Sequence, residues 1–247
     1  MSDVDNTSDK ISTRSAFTAP SALLALLIVV AQVIVAIVSY PLLPAQVPSH
    51  WNAAGQIDGY LPKWASAVLF PAISLFVFFI LRFVTQVGPR LGYQNQRTAN
   101  REVINFILVG VLLLMLVIQM LVTAIGLGIR IDVVFVVSLS VSALMMFIGN
   151  YLGKLRRNFW AGIRTPWTLA SDVVWERTHR LGGWLFVLSG LIGVITSFFP
   201  PVRLWGLMVP LLLSVVILTI YSYVAYQRYT VEGKEPLSPP FDNDSHL

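Results

Sequence analysis

The stretch VINFILVGVLLLMLVIQMLVTAIGLGI, residues 103–129, carries no charged side chain. An α-helix needs about 20 consecutive apolar residues to cross the hydrocarbon core of a bilayer, and this run exceeds that length. Five more runs of similar character flank it: residues 16–43, 64–81, 133–153, 181–200 and 204–227. With 56% of its 247 residues hydrophobic and only 12% charged, the chain does not have the composition of a water-soluble domain. The runs show no polar/apolar alternation, so barrel strands are excluded and each segment must satisfy its own backbone as a helix. The expected fold is an all-α integral membrane protein, a bundle of six transmembrane helices. Pro20, Pro71 and Pro210 fall within or near spans, where neighbouring helices can take up a freed carbonyl.

Orientation follows from lysine and arginine. If the amino terminus is cytoplasmic, fourteen of the seventeen cations fall on inner segments, and only Lys63, Arg130 and Arg203 fall outside. Both termini are then cytoplasmic, and the +5 net charge reflects attraction to anionic inner-leaflet lipid rather than nucleic-acid binding. The division expected along the chain is a disordered inner tail at 1–15 and four spans over 16–153, with an outer loop at 44–63 and a basic inner loop at 82–102. An inner loop with an interfacial helix follows at 154–180, then spans five and six at 181–227 and a disordered inner tail at 228–247. The first residues lack the pattern of a cleavable signal.

Spans drawn this way hold no ionisable residue, which counts against an ion-coupled carrier. Gln32, Asn105, Gln119 and Asn150 are expected to hydrogen-bond helix to helix. No zinc-protease, nucleophile-elbow, Walker or Rossmann pattern occurs, and cysteine is absent. His50 and His179 lie on opposite faces and cannot share a metal. Neither a catalytic residue, a metal site nor a cofactor is expected.

The polar segment GKLRRNFWAGIRTPWTLASDVVWERTHRLGG, residues 153–183, interleaves cations with aromatics and suits the headgroup level. Pro166 fits a first helical position after Thr165, and Ser171 is a plausible N-cap with Asp172 in the first turn. Residues 172–180 read as a short helix. There Glu176 and Arg180 pair four apart, Trp175 and His179 share a strip, and Gly182 and Gly183 allow a bend. Simple anchoring at the interface competes with a preorganised docking surface.

This segment resembles the signature of the SdpI family of bacterial toxin-immunity membrane proteins. The resemblance rests on Asn158, on Gly162, Ile163, Arg164, Thr165, Pro166 and Trp167, and on Trp175, His179, Arg180 and Gly182. The outer VPSHWNAAGQIDGY, with His50, Trp51, Asn52, Gly55, Asp58, Gly59 and Tyr60, is similar to a short domain of unknown function that often precedes it. What the resemblance implies is a multi-pass protein of the bacterial plasma membrane, not an enzyme, that confers resistance to a secreted membrane-active toxin. Its implied partners are the lipid bilayer, a peptide toxin met by the outer loop, and a cytoplasmic transcriptional repressor docking on the inner signature. A transporter, and an interfacial enzyme using Glu176 and His179, are the competing classes.

Overall fold

The computed structural model describes residues 20–87, 97–158 and 160–231. The tail expected at 1–15, the part of the inner loop at 88–96, Phe159 and the tail from 232 onward lie outside the described residues.

Six helices are long and apolar enough to cross a membrane. In order, the elements are α1 (Pro20–Ser39), strands β1 (Gln46–Trp51) and β2 (Ile57–Pro62), α2 (Lys63–Val87), α3 (Arg97–Gly126) and α4 (Val133–Leu152). Then come a short α5 (Pro166–Ala170), α6 (Asp172–Ser197) and α7 (Arg203–Tyr226). The helices form two groups. Helices α1, α2 and α3 close on an apolar core of Ala25, Ile28, Val29, Phe78, Leu108, Val109 and Leu112. Polar rungs cross it, as the sequence suggests: Gln119 Nε2 donates to the Gln32 carbonyl (2.9 Å) and Gln32 Nε2 to that of Leu112 (3.4 Å). Asn150 instead bonds within its own helix, to Met146 O.

Helices α4, α6 and α7 meet through small residues. A Cβ on Gly149 would lie 2.7 Å from the Gly183 carbonyl oxygen, and one on Gly183 would lie 2.8 Å from that of Gly149. Gly190 comes equally close to the backbone at Ser142. Close backbone approach and interhelical hydrogen bonds of this kind are what hold helices together where no hydrophobic driving force acts between them, as in lipid. Ser189 and Ser214 add a bond of 3.0 Å between α6 and α7.

Three expectations are corrected. The fold is not all-α: the outer segment forms an antiparallel β-hairpin, with Val47 opposite Leu61 and Trp51 opposite Ile57. Nor does a separate short helix precede the fifth span. Helix α6 runs unbroken from Asp172 to Ser197, because Gly182 and Gly183 are used for close packing rather than for a bend. The helices also outrun the apolar runs, so α2 carries a buried Arg82 and α6 carries Asp172, Glu176, Arg177, His179 and Arg180.

At the hairpin end, a contact absent from any motif ties α4 to α6 and α7. Asp132 caps α4 by accepting from Phe135 N (3.0 Å) and binds Arg203 Nη1 (2.5 Å), while Arg203 Nε donates to Ser197 O (2.6 Å). Burial raises the pKa of the Asp132 carboxyl, but the Phe135 N–H and the Arg203 guanidinium outweigh it and hold it below the ordinary value. A depressed carboxylate adds stability that is present above its unfolded pKa and lost as pH falls through its folded value, that is, below about pH 4. Asp132→Ala is expected to cost about 1–2 kcal/mol through the lost cap alone and to flatten the fall in melting temperature at acid pH. Asp132→Asn, which can keep the cap but not the charge, should show the flattened acid limb with the smaller loss. A thermal melt series from neutral pH to pH 3 checks both.

Candidate functional site

Two constructions stand at opposite ends of the bundle. At the end away from the hairpin, residues 153–171 form a cap rather than a free basic arm. Asn158 organises its first turn: Oδ1 accepts from Trp160 N and Ala161 N (both 2.8 Å), and Nδ2 donates to Arg156 O (2.8 Å). Asn100 of α3 grips the backbone of the same residue, accepting from Arg156 N (2.7 Å) and donating to Arg156 O (3.1 Å). Arg157, only 8% exposed, donates to Leu169 O (3.1 Å) and pairs with Asp172 (2.9 Å). Asn100, Arg157 and Thr168 were not singled out by sequence reasoning. For Asn100, a peptide-binding amide in the first turn of α3, just before a long apolar run, was the available signal.

Thr165 caps α5 with a reciprocal box. Its hydroxyl accepts from Thr168 N (3.2 Å), its N–H donates to Thr168 Oγ1 (3.0 Å), and Pro166 takes the first helical position as expected. The Thr165 hydroxyl also reaches Ser222 on α7 (3.1 Å), and Trp167 meets Tyr223 edge-on at 5.1 Å. Thus α5 is docked onto α7, and Thr165 and Trp167 are explained by that docking. The Ser171 N-cap and the Glu176–Arg180 pair (2.7 Å) are present as read from the sequence.

Trp175 and His179 were expected at a docking surface. Both point inward, at 2% and 0% exposure. The rings stack at 4.0 Å, Trp175 Nε1 donates to Leu155 O (2.7 Å), and Ile163 N donates to His179 Nε2 (2.9 Å). Because Nε2 accepts, the ring proton lies on Nδ1, which donates to the Trp175 carbonyl (2.9 Å). Both nitrogens are spent on backbone, so the neutral ring is a pin for residues 155–163 and has no free site for a substrate proton. Gly162 lies against the Nε2 edge of the ring with φ of 112°; a Cβ there would collide with His179 Nε2. Gly182 lies against Ile163, where a Cβ would fall 2.6 Å from Cδ1. Arg164 is exposed, and with Lys154, Arg156, Arg177, Arg180 and Arg228 it makes the outer surface of the cap basic.

At the opposite end, Asn52 closes the hairpin turn, its side chain accepting from Ala54 N and Gln56 N (both 3.0 Å). Gly59 faces His50 across the strands. His50 and Asp58 form an exposed pair at 2.5 Å, and Tyr60 is exposed. Val47 is fully buried against Leu43 and Val122, with Trp51 packed beside them, so the hairpin is seated on the end of α3. A cleft of about 410 Å³ separates Trp51, Gly55 and Ile57 from the α3–α4 connection at Gly128, Ile129, Arg130 and Asp132. Among the described residues, no group of three or more metal-ligating side chains is assembled.

Compared with known proteins, residues 154–222 match the SdpI/YfhL protein family, and residues 27–75 match a domain of unknown function, DUF1648. The first match takes in the cap, α5, α6 and most of α7; the second takes in the hairpin with the adjoining parts of α1 and α2. The chain is 24% identical over 207 residues to the immunity protein SdpI of Bacillus subtilis (strain 168), covering 83% of this chain and 96% of that protein. No solved structure matches. The resemblance drawn from the two motifs is therefore shown.

Proposed function

We propose that the chain is an SdpI-like immunity protein of the bacterial plasma membrane, with both termini cytoplasmic, which confers resistance to a secreted, membrane-active peptide toxin. The observation that carries this reading is the similarity to an immunity protein over nearly its whole length, which includes both the hairpin and the cap. Orientation is supported by the cation bias, which puts the basic cap inside and the hairpin outside. On this reading the toxin, or its membrane-inserted form, meets His50, Trp51, Asn52, Asp58 and Tyr60. A non-enzymatic role is supported by His179, whose two ring nitrogens are both engaged by backbone, and by Glu176, which pairs with Arg180.

A signalling role, in which the basic cap docks a cytoplasmic repressor, is supported by α3. Val122 and Gly126 of α3 lie against the base of the hairpin, and Asn100 of the same helix holds the Arg156 peptide. One helix therefore touches both ends, about 33 Å apart along its axis at 1.5 Å per residue. Toxin seated on the hairpin could shift the cap through that rod. Transport remains the competing class, and flux in reconstituted vesicles would favour it.

The test is expression in a toxin-sensitive bacterium, with survival scored against secreted peptides. Scrambling residues 49–60 while keeping Val47 is expected to abolish protection at unchanged membrane abundance. Full protection by the scrambled protein would remove the hairpin from the mechanism. Toxin-dependent recruitment of a co-expressed winged-helix repressor to the membrane fraction is the companion readout for signalling.

A further inference from the structure

Near the hairpin end, a groove of about 600 Å³ lies between α1 and α2. Val33, Ala36 and Tyr40 form one wall, and Trp64, Ala67 and Pro71 form the other. Ile37 and Val68, which also line the groove, are more than half exposed. With α1 and α2 taken as spans, as in the function proposed above, this apolar groove opens to the hydrocarbon region.

Its rim is charged. Lys63 Nζ sits 4.8 Å from the centre of the Tyr40 ring, and Tyr40 and Trp64 are aromatics of the type that settle at headgroup depth. Lys63 is also the first residue of α2, and the first turn of that helix contains no acid. The Lys63 N–H is already taken by Ala45 O (3.0 Å), so the local surplus of positive charge is the Lys63 ammonium at the positive end of the helix dipole, which an anion relieves. The ligand that fits both parts has a long apolar body and an anionic head.

We propose that this groove is a binding site for one anionic phospholipid, with an acyl chain between α1 and α2 and the phosphate against Lys63 and the first turn of α2. Zwitterionic lipid can fill the groove but does not offset the surplus charge. A hydrophobic peptide lying in the groove is a different occupant, and the experiment separates the two.

The full chain is reconstituted in phosphatidylcholine vesicles containing the same minor fraction of either dibrominated phosphatidylglycerol or dibrominated phosphatidylcholine. Bromine quenches tryptophan at contact, and the difference between wild type and Trp64→Phe isolates the signal of Trp64. The brominated anionic lipid is expected to be enriched at Trp64 about fivefold over the zwitterionic one, the factor that one interfacial lysine supplies. Lys63→Gln should bring the ratio to about one, and Ala67→Phe, by filling the groove, should reduce quenching by both lipids. Equal quenching by the two lipids in wild type, or an anionic preference that survives Lys63→Gln, overturns the proposal. So does displacement of both lipids by an added hydrophobic peptide, which would make the groove a peptide site. If Ala67→Phe fails to fold, as its melt would reveal, Lys63→Gln alone decides.

Discussion

Gly183→Val is expected to leave little folded protein. The Gly149–Gly183 contact brings the backbones of α4 and α6 together so closely that a Cβ on either glycine meets the other's carbonyl oxygen at 2.7–2.8 Å. A carbonyl within a helix cannot rotate aside as a side chain can, so the two helices must separate. Separation then undoes the neighbouring contacts of Gly190 with the backbone at Ser142 and loosens the seat of the cap on α6. Overpacking by a few methylenes costs about 1–3 kcal/mol where side chains can adjust, and a backbone clash exceeds that range. Native stabilities total only about 5–15 kcal/mol, so one such change removes a large share. Gly153→Ala is the matched control: its Cβ would lie 3.7 Å from Arg180 Cα and its φ of −69° suits alanine, so it should melt within error of wild type or slightly above. Yield of monodisperse protein in detergent and the thermal midpoint check both variants. A Gly183→Val protein that melts like wild type would mean that α4 and α6 are not packed through these glycines.

The same contact shows how far local sequence carries. Six apolar runs name six helices because a run long and apolar enough to cross a bilayer satisfies its own backbone as a helix, and the caps at Thr165 and Ser171 are legible because Thr-Pro and Ser-Asp have defined roles at helix starts. Less legible is what a residue faces. Helical spacing puts Trp175 and His179 on one strip but does not say whether lipid, water or protein covers it. The cover comes from residues 155–163, whose irregular path is set by Asn158, by Asn100 more than fifty residues earlier and by the positive φ of Gly162. The hairpin was hidden for a different reason. Pro48, Asn52, Gly55 and Gly59 read as turn formers, and the register depends on Val47 finding Leu43 and Val122, a tertiary fact. Asp132 and Arg203, 71 residues apart, belong to the same class.

His179→Ala is expected to free the cap while leaving the bundle assembled. The substitution removes the acceptor of the Ile163 N–H, the ring stacked on Trp175 at 4.0 Å, and the Nδ1 bond to the Trp175 carbonyl. An orphaned buried donor costs about 1–3 kcal/mol and a stacked aromatic pair about 0.5–1.5 kcal/mol. Together these come to about 2–4 kcal/mol, or roughly 30- to 1,000-fold in the opening equilibrium of residues 155–163. Four trypsin sites, Lys154, Arg156, Arg157 and Arg164, lie in or beside that segment, so cleavage there should accelerate by the same factor when opening is fast relative to proteolysis. His179→Phe keeps the stack but not the acceptor and should fall between. Gly162→Ala should reproduce the alanine phenotype from the other side, since its Cβ needs the space of Nε2 and its φ of 112° is strained for any L side chain. The thermal midpoint should move far less than in Gly183→Val, because the α4–α6 contact at Gly149 stays intact. If cleavage in detergent is unchanged by His179→Ala, the ring does not hold the cap. If the cap opens and the proposed protection persists, an ordered cap is not required for that protection.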